Sequence, residues 1–214
     1  MVTEMEHHAD LVTWQQACKR SGATLKVVPI HDNGELNVDA FHELLSDNTA
    51  FVAMPHVSNA LGTVNPIKEL TAAAKSKGAL VLIDGAQGVA HGAIDVQDIG
   101  CDFYVFSGHK VFGPTGIGVL WGRFDVLNDW PVWLVGGEMI ATVSYQDATW
   151  GELPNRLEAG TPNIAGVIGL AAAIDWIQQY DAEEIRAHEQ ALLARATELA
   201  KQTEGLRIIG DAPN

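Results

Sequence analysis

Residues 80–110 read LVLIDGAQGVAHGAIDVQDIGCDFYVFSGHK, and this stretch decides the fold. It holds two short apolar runs, residues 80–83 and 103–106, that are continuous rather than alternating. Continuous runs of this length indicate strands buried on both faces, which is typical of parallel sheets covered by helices. Polar residues follow each run, DGAQ after the first and SGHK after the second. The stretch therefore predicts two buried strands with chemically reactive side chains at their ends.

Similar apolar runs predict further strands of the same sheet, and they lie at residues 25–30, 51–54 and 117–121. Only the loop 107–116 separates the last of these from the run at residues 103–106. This loop is too short for a helical crossover, so we expect these two strands to be antiparallel neighbours.

The segment after Asn65 has the features of a crossover helix. Pro66 suits a first helical turn, and Gly78 suits a left-handed cap at the end. The apolar residues that share one face of this helix are Ile67, Leu70 and Ala74. Residues 51–83 therefore predict a β-α-β unit with parallel strands. We expect the α/β class, as a three-layer α/β/α domain with a mostly parallel sheet.

The C-terminal part predicts two helices. Residues 163–180 are apolar on nearly all sides at their start, which indicates a buried helix. Residues 182–203 are amphipathic, and the residues expected to face inward are Ile185, Leu192, Ala196 and Leu199. Residues 206–209 resemble the start of a new strand, and Met1 precedes what reads as a strand end. We therefore expect a domain that is truncated at both ends.

The composition excludes several classes of function. Thirteen Lys and Arg residues against 27 Asp and Glu residues give a formal net charge of −14, so the chain would repel nucleic acid and anionic membranes. The longest apolar run, residues 164–174, is too short to span a bilayer. Cys18 and Cys101 form neither a disulfide framework nor a metal knuckle, and residues 1–10 lack the pattern of a signal peptide. We predict a cytoplasmic protein without a metal site.

Lys110 stands at the mouth of the expected sheet, shortly after the second apolar run. An amine at such a place can form a Schiff base with a carbonyl carbon, while Ser107 and His109 could hold an anion beside it. Taken alone, a lysine at this place is more often a surface lysine in a loop. The glycines over residues 113–118 form the pattern GxxGxG rather than GxGxxG, so they support a dinucleotide site poorly.

Asp84 follows the strand predicted at residues 80–83, at the end of the sheet where α/β proteins bind ligands. Alone, this carboxylate could be the N-cap of the next helix, or a metal or cofactor ligand. Lys110 changes this interpretation, because pyridoxal phosphate chemistry requires a lysine that binds the cofactor aldehyde and a carboxylate that keeps the pyridine nitrogen protonated. The two residues together predict pyridoxal 5'-phosphate as the cofactor.

Five strings of residues carry a resemblance to a known family. They are EHHA at residues 6–9, HVSN at 56–59, DGAQ at 84–87, SGHK at 107–110 and EAGTPN at 158–163. Over essentially all of its length the chain resembles the cysteine desulfurases and selenocysteine lyases of the class V aminotransferases, in the group of the SufS and CsdA proteins. The resemblance implies a fold-type I pyridoxal phosphate enzyme. In such an enzyme residues 1–165 would belong to the large cofactor-binding domain, and residues 166–214 would form connecting helices and the start of the small domain.

The resemblance also implies the roles of individual residues. Lys110 and His7 would be the catalytic residues, Lys110 as the Schiff-base lysine that moves the α-proton and His7 stacked on the ring. Asp84 would pair with the pyridine nitrogen. The other implied cofactor contacts are Asn59 and Gln87 to the phenolic oxygen, Ser107 and His109 to the phosphate, and Thr161 to the phosphate of the partner subunit.

Without the resemblance, three of these residues have ordinary alternatives. His7 and His8 could form a metal-binding pair or a merely solvated one. Asn59 suits a turn after a strand. Thr161 could simply be held extended by the proline that follows it, with Asn163 capping the next helix.

The resemblance further implies the reaction and the partners. The substrate would be L-cysteine or L-selenocysteine, the product L-alanine, and a SufE/CsdE-like acceptor protein would take the sulfur for iron–sulfur cluster assembly. The enzyme would be a homodimer. The alternatives are another branch of the same aminotransferase class, or a non-catalytic scaffold or dimerisation fragment.

The two cysteines of this chain read as structural. Cys18 lies in a predicted helix and Cys101 begins a core strand, neither of which favours a reactive thiolate. The resemblance implies that the sulfur-accepting cysteine and the substrate-binding arginines lie C-terminal to these residues, and that a phosphate-binding loop lies N-terminal to them. We therefore expect the 214-residue chain to be inactive alone and to hold the cofactor weakly or not at all.

Overall fold

The computed structural model describes residues 1–212. Its strands are β1 Val2–Thr3, β2 Val27–Val28, β3 Phe51–Pro55, β4 Leu80–Asp84, β5 Phe103–Ser107, β6 Gly118–Gly122, β7 Ile140–Val143 and β8 Ala148–Trp150. Its α-helices are α1 His8–Ser21, α2 Val38–Leu44, α3 Ile67–Ser76, α4 Val96–Ile99, α5 Phe124–Asn128, α6 Ile164–Ile177 and α7 Ala182–Gln202. Short 3₁₀-helices cover Gly88–Ala90, Gly108–Val111 and Asn155–Leu157.

Within residues 1–212 the central sheet has four strands in the order β3-β4-β5-β6. Both β3 and β5 run parallel to β4, and β6 is antiparallel to β5, as the short loop before β6 predicts. The crossover helix α3 buries Ile67, Leu70 and Ala74, the three residues of its predicted face. Gly78 follows in the left-handed conformation, with φ of 78°. The β-α-β unit and the mostly parallel sheet are therefore confirmed.

Two short parallel strands, β1 and β2, form a separate two-stranded sheet beside β3. The amino group of Met1 donates to the Phe51 carbonyl at 2.7 Å, and the N–H of Ala53 donates to the Met1 carbonyl at 3.0 Å, so the start of the chain lies against β3. The strand predicted over residues 25–30 ends at Val28 in the structure. Pro29 follows, and it has no N–H with which to continue a strand ladder.

Helices cover both faces of the central sheet. On one face, Phe41 of α2 and Leu70 of α3 join a buried core with the side chains that β3 and β4 direct toward them. On the opposite face, the Trp14 ring of α1 lies 4.5 Å from the ring of Phe51, which lies 6.0 Å from that of Phe103. The predicted three-layer α/β/α arrangement is therefore confirmed.

The burial predicted for the last two helices is wrong. In α6 only Gly166 and Leu170 are buried, and Ile168 is 66% exposed. In α7 the four residues predicted to face inward are half-buried or exposed, namely Ile185, Leu192, Ala196 and Leu199. Both helices carry more apolar surface than residues 1–212 can cover, which is why their patterns suggest burial that does not occur.

The remaining C-terminal prediction also needs correction. Residues 206–209 form no strand in the part of the chain that the structure describes, because no neighbouring strand edge pairs with them. No helix within residues 1–212 combines the length and the apolar character that crossing a membrane requires.

Candidate active site

A cleft of about 490 Å³ opens at the carboxyl ends of β4 and β5. Ligands of open α/β sheets bind at this edge. The polar side chains that line the cleft are His7, Asp10, Asp84, Ser107, His109 and Lys110. The structure thus brings together five of the eight site residues predicted from the sequence.

Lys110 enters the cleft on the 3₁₀-helix Gly108–Val111, directly after β5. Gly108 is needed here because a Cβ would lie 2.8 Å from the Ile117 side chain. The N–H of Gly113 donates to the Gly108 carbonyl at 2.9 Å, and a Cβ on Gly113 would lie 2.8 Å from that same oxygen. The first glycine of the GxxGxG pattern therefore serves close backbone packing around Lys110.

The Lys110 side chain is half-buried and faces the cleft. The lysines that form ion pairs within residues 1–212 are Lys68, Lys75, Lys77 and Lys201. Lys110 is not among them, so in the described chain its amine is free to bond to a ligand in the cleft.

Asp84 is the last residue of β4, rather than the first residue after it. Its Oδ1 accepts a hydrogen bond from the N–H of Ala86 at 2.9 Å, which fixes the carboxylate at the start of the DGAQ turn. The alternative role as a helix cap is wrong, because Gln87 is the N-cap residue of the next 3₁₀-helix and no side chain caps it. Oδ2 of Asp84 accepts no hydrogen bond from residues 1–212, so it is available to a ligand.

His7 is the N-cap residue of α1, and its Nδ1 accepts a hydrogen bond from the N–H of Ala9 at 3.1 Å. In the neutral ring the proton therefore sits on Nε2. The ring stands at the rim between the main cleft and a neighbouring cleft of about 400 Å³. Asn59 is exposed and lines this neighbouring cleft, on the far side of His7.

Two further residues of the predicted site lie apart from the main cleft. Gln87 is half-buried just before the 3₁₀-helix Gly88–Ala90 and does not line the cleft in the described chain. Thr161 is exposed and lines a separate cleft of about 520 Å³ beside β6.

Asn163 connects the loop that bears Thr161 to the glycine-rich turn. Its Oδ1 accepts a hydrogen bond from the N–H of Gly166 at 3.0 Å, which caps α6. Its Nδ2 donates to the Gly116 carbonyl at 3.0 Å. The capping role considered for Asn163 is therefore confirmed.

Asp10, which lines the cleft, and its buried neighbour Glu6 form a titratable pair that was not predicted from the sequence. Burial and then a hydrogen bond with Asp10 raise the pKa of Glu6 well above its ordinary value, and burial also raises the pKa of Asp10. Glu6 precedes the N-cap residue His7, so helical spacing did not signal this pair.

The two cysteines lie outside the cleft in the described chain. Cys18 is half-buried on α1, and Cys101 is buried just before β5. Burial raises the pKa of the Cys101 thiol to about 11, so the thiol is protonated and unreactive at neutral pH. This agrees with the structural role expected for both residues.

The fold and the cleft that holds Lys110 and Asp84 define a class of protein. The chain belongs to the aminotransferase class-V family, whose profile matches residues 1–214. It is 50% identical over 214 residues to a cysteine desulfurase of Synechococcus elongatus, which covers 100% of this chain and 34% of that protein. The family resemblance seen in the sequence is therefore confirmed.

Solved structures show the same relationship. The cysteine desulfurase CsdA of Escherichia coli superposes with a TM-score of 0.88 at 40% identity, covering 95% of this chain and 51% of that chain. A lysine-to-alanine variant of C-DES with glycine covalently linked to its PLP cofactor gives a TM-score of 0.80 at 26% identity, covering 99% of this chain and 58% of that one. The chain thus spans between about a third and just over half of these relatives.

Proposed function

We propose that this chain is the cofactor-binding core of a pyridoxal 5'-phosphate-dependent cysteine desulfurase. The observation that carries the proposal is the single cleft that holds Lys110, Asp84 and His7. An amine, a carboxylate with a free oxygen and a flat imidazole can engage an aldehyde, a pyridine nitrogen and a ring face, respectively. The 50% identity to a cysteine desulfurase supports the same activity for a protein that contains these residues.

The residues present fit this cofactor. The cleft volume of about 490 Å³ suits a small molecule. Lys110 and Asp84 line the same cleft, and the Ser107 hydroxyl and the His109 ring lie beside Lys110, where they would hold the phosphate. When bound, the cofactor supplies an electron sink for the charge that remains when a bond to the substrate α-carbon breaks.

Each side chain then has a defined task. Oδ2 of Asp84 would accept a hydrogen bond from the protonated pyridine nitrogen and so keep the proton on that nitrogen, which keeps the ring electron-poor. His7 would cover one face of the ring and exclude water from it. Nζ of Lys110 would bond to the cofactor aldehyde, and once the substrate amine has displaced it, the free Lys110 amine would move the α-proton. Asn59, which lines the neighbouring cleft, and Gln87, just before the 3₁₀-helix Gly88–Ala90, would hydrogen-bond to the phenolic oxygen.

The proposed substrate is L-cysteine or L-selenocysteine, with L-alanine as the product. A sulfur-acceptor protein in the cytoplasm takes the sulfur. Neither Cys18 nor Cys101 lines the cleft, so the attacking thiolate is proposed to lie outside these 214 residues. The isolated chain should therefore form no alanine from cysteine and should bind the cofactor weakly or not at all. Alanine formation by this chain at the rate of a longer protein would contradict the assignment.

The proposed enzyme is a homodimer in which Thr161 reaches the cofactor phosphate of the partner subunit. The support is that Thr161 is exposed and lies in a cleft separate from the one that contains Lys110. A strictly monomeric protein that binds the cofactor with full affinity would exclude this role.

Activity of a longer protein that carries these residues tests the proposal. With L-cysteine, pyridoxal phosphate and a reductant, the wild type should form alanine and sulfide and show the visible absorption band of lysine-bound cofactor. Lys110→Ala should lose both. Lys68→Ala is the matched control, since Lys68 is an exposed lysine on α3 that pairs with Asp98, and it should retain both. If the wild type showed the visible absorption but released no sulfide, the protein would catalyse another class V reaction. If the wild type showed neither, the chain would be a non-catalytic scaffold.

A further inference from the structure

Two buried carboxyl oxygens beside the cleft lack a hydrogen-bond donor. They are Oε2 of Glu6 and Oδ2 of Asp10, and no N–H or O–H group within residues 1–212 reaches either atom. Glu6 is only 8% exposed. A buried carboxylate oxygen without a donor is strongly unfavourable, so both atoms require an explanation.

The other oxygens of the same two groups are satisfied. Oε1 of Glu6 accepts from the N–H of Thr3 at 2.9 Å and from its hydroxyl at 2.8 Å. Oδ1 of Asp10 accepts from the indole N–H of Trp14 at 2.8 Å. The two carboxyl groups lie within hydrogen-bonding reach of each other, so a single proton can satisfy both unpartnered oxygens.

We propose that Glu6 is protonated on Oε2 and donates a hydrogen bond to Oδ2 of Asp10, so that the pair carries one negative charge instead of two. Two carboxylates in contact rarely ionise together, and the proton resides on the one that is more deeply buried. Glu6 is that residue. Its two bonds from Thr3 occupy Oε1 and leave Oε2 to carry the proton.

The charged groups around the pair come from three elements. From β4, Asp84 repels the charge on Asp10 and raises its pKa, while His7, the N-cap residue of α1, lowers it. Just before β1, the amino group of Met1 interacts with Glu6. The effect of burial is larger than the effect of these neighbouring charges, and it raises the pKa of both carboxyl groups. A protonated Glu6 therefore avoids a third carboxylate charge next to Asp10 and Asp84.

This inference deepens the proposed function and rests on it for its consequence. Glu6 directly precedes His7, and Asp10 lies in the first turn of α1. The hydrogen bond between Glu6 and Asp10 therefore connects the residue before His7 to the helix that His7 caps. Glu6 and Asp10 are thus positioning residues. They hold the imidazole at the cleft and leave Asp84 as the carboxylate that meets the ring nitrogen.

NMR of the cofactor-free chain with ¹³C-labelled glutamate side chains tests the shared proton. At pH 7 one Glu carboxyl signal should have the chemical shift of a protonated acid, and Glu6→Gln should remove it. Glu43→Gln, at an exposed position of α2, is the control and should leave that signal in place. Wild-type spectra in which every Glu carboxyl ionises in the ordinary range would overturn the proposal, even if Glu6→Gln failed to fold.

The pH dependence of stability gives a second readout. In the unfolded chain Glu6 ionises near its ordinary pKa of 4.5, whereas in the folded chain it keeps its proton. The folded state therefore binds one more proton, and the unfolding free energy of the wild type should fall as the pH rises above this value. Glu6→Gln keeps a donor to Asp10 without titrating, so its urea midpoint should rise relative to the wild type between pH 5 and pH 8. If the urea midpoint depended on pH in the same way for the wild type, Glu6→Gln and Glu43→Gln, the proposal would be contradicted.

These measurements use no cofactor, so they are independent of the role of Lys110. A protein without desulfurase activity could still show the shared proton, and an active enzyme could lack it. Its consequence for the site is tested by the visible spectrum of the cofactor-loaded longer protein. Glu6→Ala should alter the pH at which this spectrum changes, and Glu6→Gln should restore the wild-type value. If the spectrum changed at the same pH in the wild type, Glu6→Ala and Glu6→Gln, the pair of Glu6 and Asp10 would not act on the cofactor.

Discussion

The hydroxyl group of Tyr104 lies 3.1 Å from Nδ1 of His56, and the Tyr104 ring fills the space above Gly85. A Cβ on Gly85 would lie 1.9 Å from Cε1 of that ring. His56 fills the space beside Gly88 in the same way, and its backbone N–H donates to the Asp84 carbonyl at 2.8 Å. These two aromatic side chains therefore support the turn that orients the Asp84 carboxylate.

Gly85→Ala should displace Tyr104 and shift the turn that carries Asp84. Small displacements of a catalytic group have large effects, so we expect cofactor affinity and turnover to fall by about a hundredfold. Titration of the longer protein with pyridoxal phosphate, followed by visible absorbance, measures this. Gly137→Ala is the control, since no atom lies within 4 Å of a Cβ at that position. Equal affinities for the two variants would show that the packing of Tyr104 on Gly85 does not position the site.

Asp84→Ala should lower turnover by several powers of ten, because the proton on the pyridine nitrogen loses its acceptor and the ring becomes a poorer electron sink. The fold should be largely unaffected, since the Asp84 side chain bonds only to the local N–H of Ala86 within residues 1–212. Rates of alanine formation and circular dichroism of the longer protein check the two statements separately. Near-wild-type turnover would refute the role of Asp84.

Asp102 should be the carboxylate whose loss destabilises the fold most clearly. It is fully buried, and its Oδ1 accepts from Lys75 at 2.6 Å and from Arg123 at 3.0 Å. Its Oδ2 accepts from the N–H of Val81 at 2.8 Å, which joins the start of β5 to β4. Asp102→Ala should cost about 3 kcal/mol of unfolding free energy, because a buried ion pair loses one partner.

Urea denaturation measures this cost, and Asp98→Ala supplies the comparison. Asp98 pairs with Lys68 at an exposed site, so its removal should cost at most about 1 kcal/mol. If the two variants lost the same stability, the buried ion pair would contribute no more than an exposed one.

The isolated 214-residue chain should self-associate through the exposed apolar face of α6. Ile164, Val167 and Ile168 are 60%, 51% and 66% exposed, and such a patch favours contact with other apolar surfaces. Sedimentation velocity over a range of concentrations should show oligomers for the wild type and fewer for Val167→Ser/Ile168→Ser. Val143→Ser, at an exposed position of β7, should behave as the wild type. A monomeric wild-type chain at all concentrations would contradict this prediction.

The central sheet was predictable because its signals are local. Continuous apolar runs mark β3, β4 and β5, and the short loop before β6 determines its direction. The crossover helix α3 has a proline at its start and a glycine past its end, with a buried face between them. Each of these strands and the helix is specified by the apolar residues and turn residues within its own short segment, so its position can be predicted from the sequence alone.

The burial of α6 and the carboxyl pair of Glu6 and Asp10 were not predictable in the same way. The exposure of Ile168 depends on which surfaces are present to cover it, and a helical pattern does not contain that information. The pKa of Glu6 depends on burial by residues distant in sequence and on its hydrogen bond with Asp10. The cleft was anticipated from Lys110 and Asp84, because the ends of parallel strands meet at one edge.

Borohydride reduction of the cofactor-loaded longer protein, followed by peptide mapping, tests the central claim that Lys110 carries the cofactor. Reduction makes the bond between a lysine amine and the cofactor aldehyde permanent. The proposed site predicts stoichiometric label on the peptide that contains Lys110 and none on Lys68, and loss of the label in Lys110→Ala. Label on any other lysine, with Lys110 unmodified, would contradict the assignment of the site.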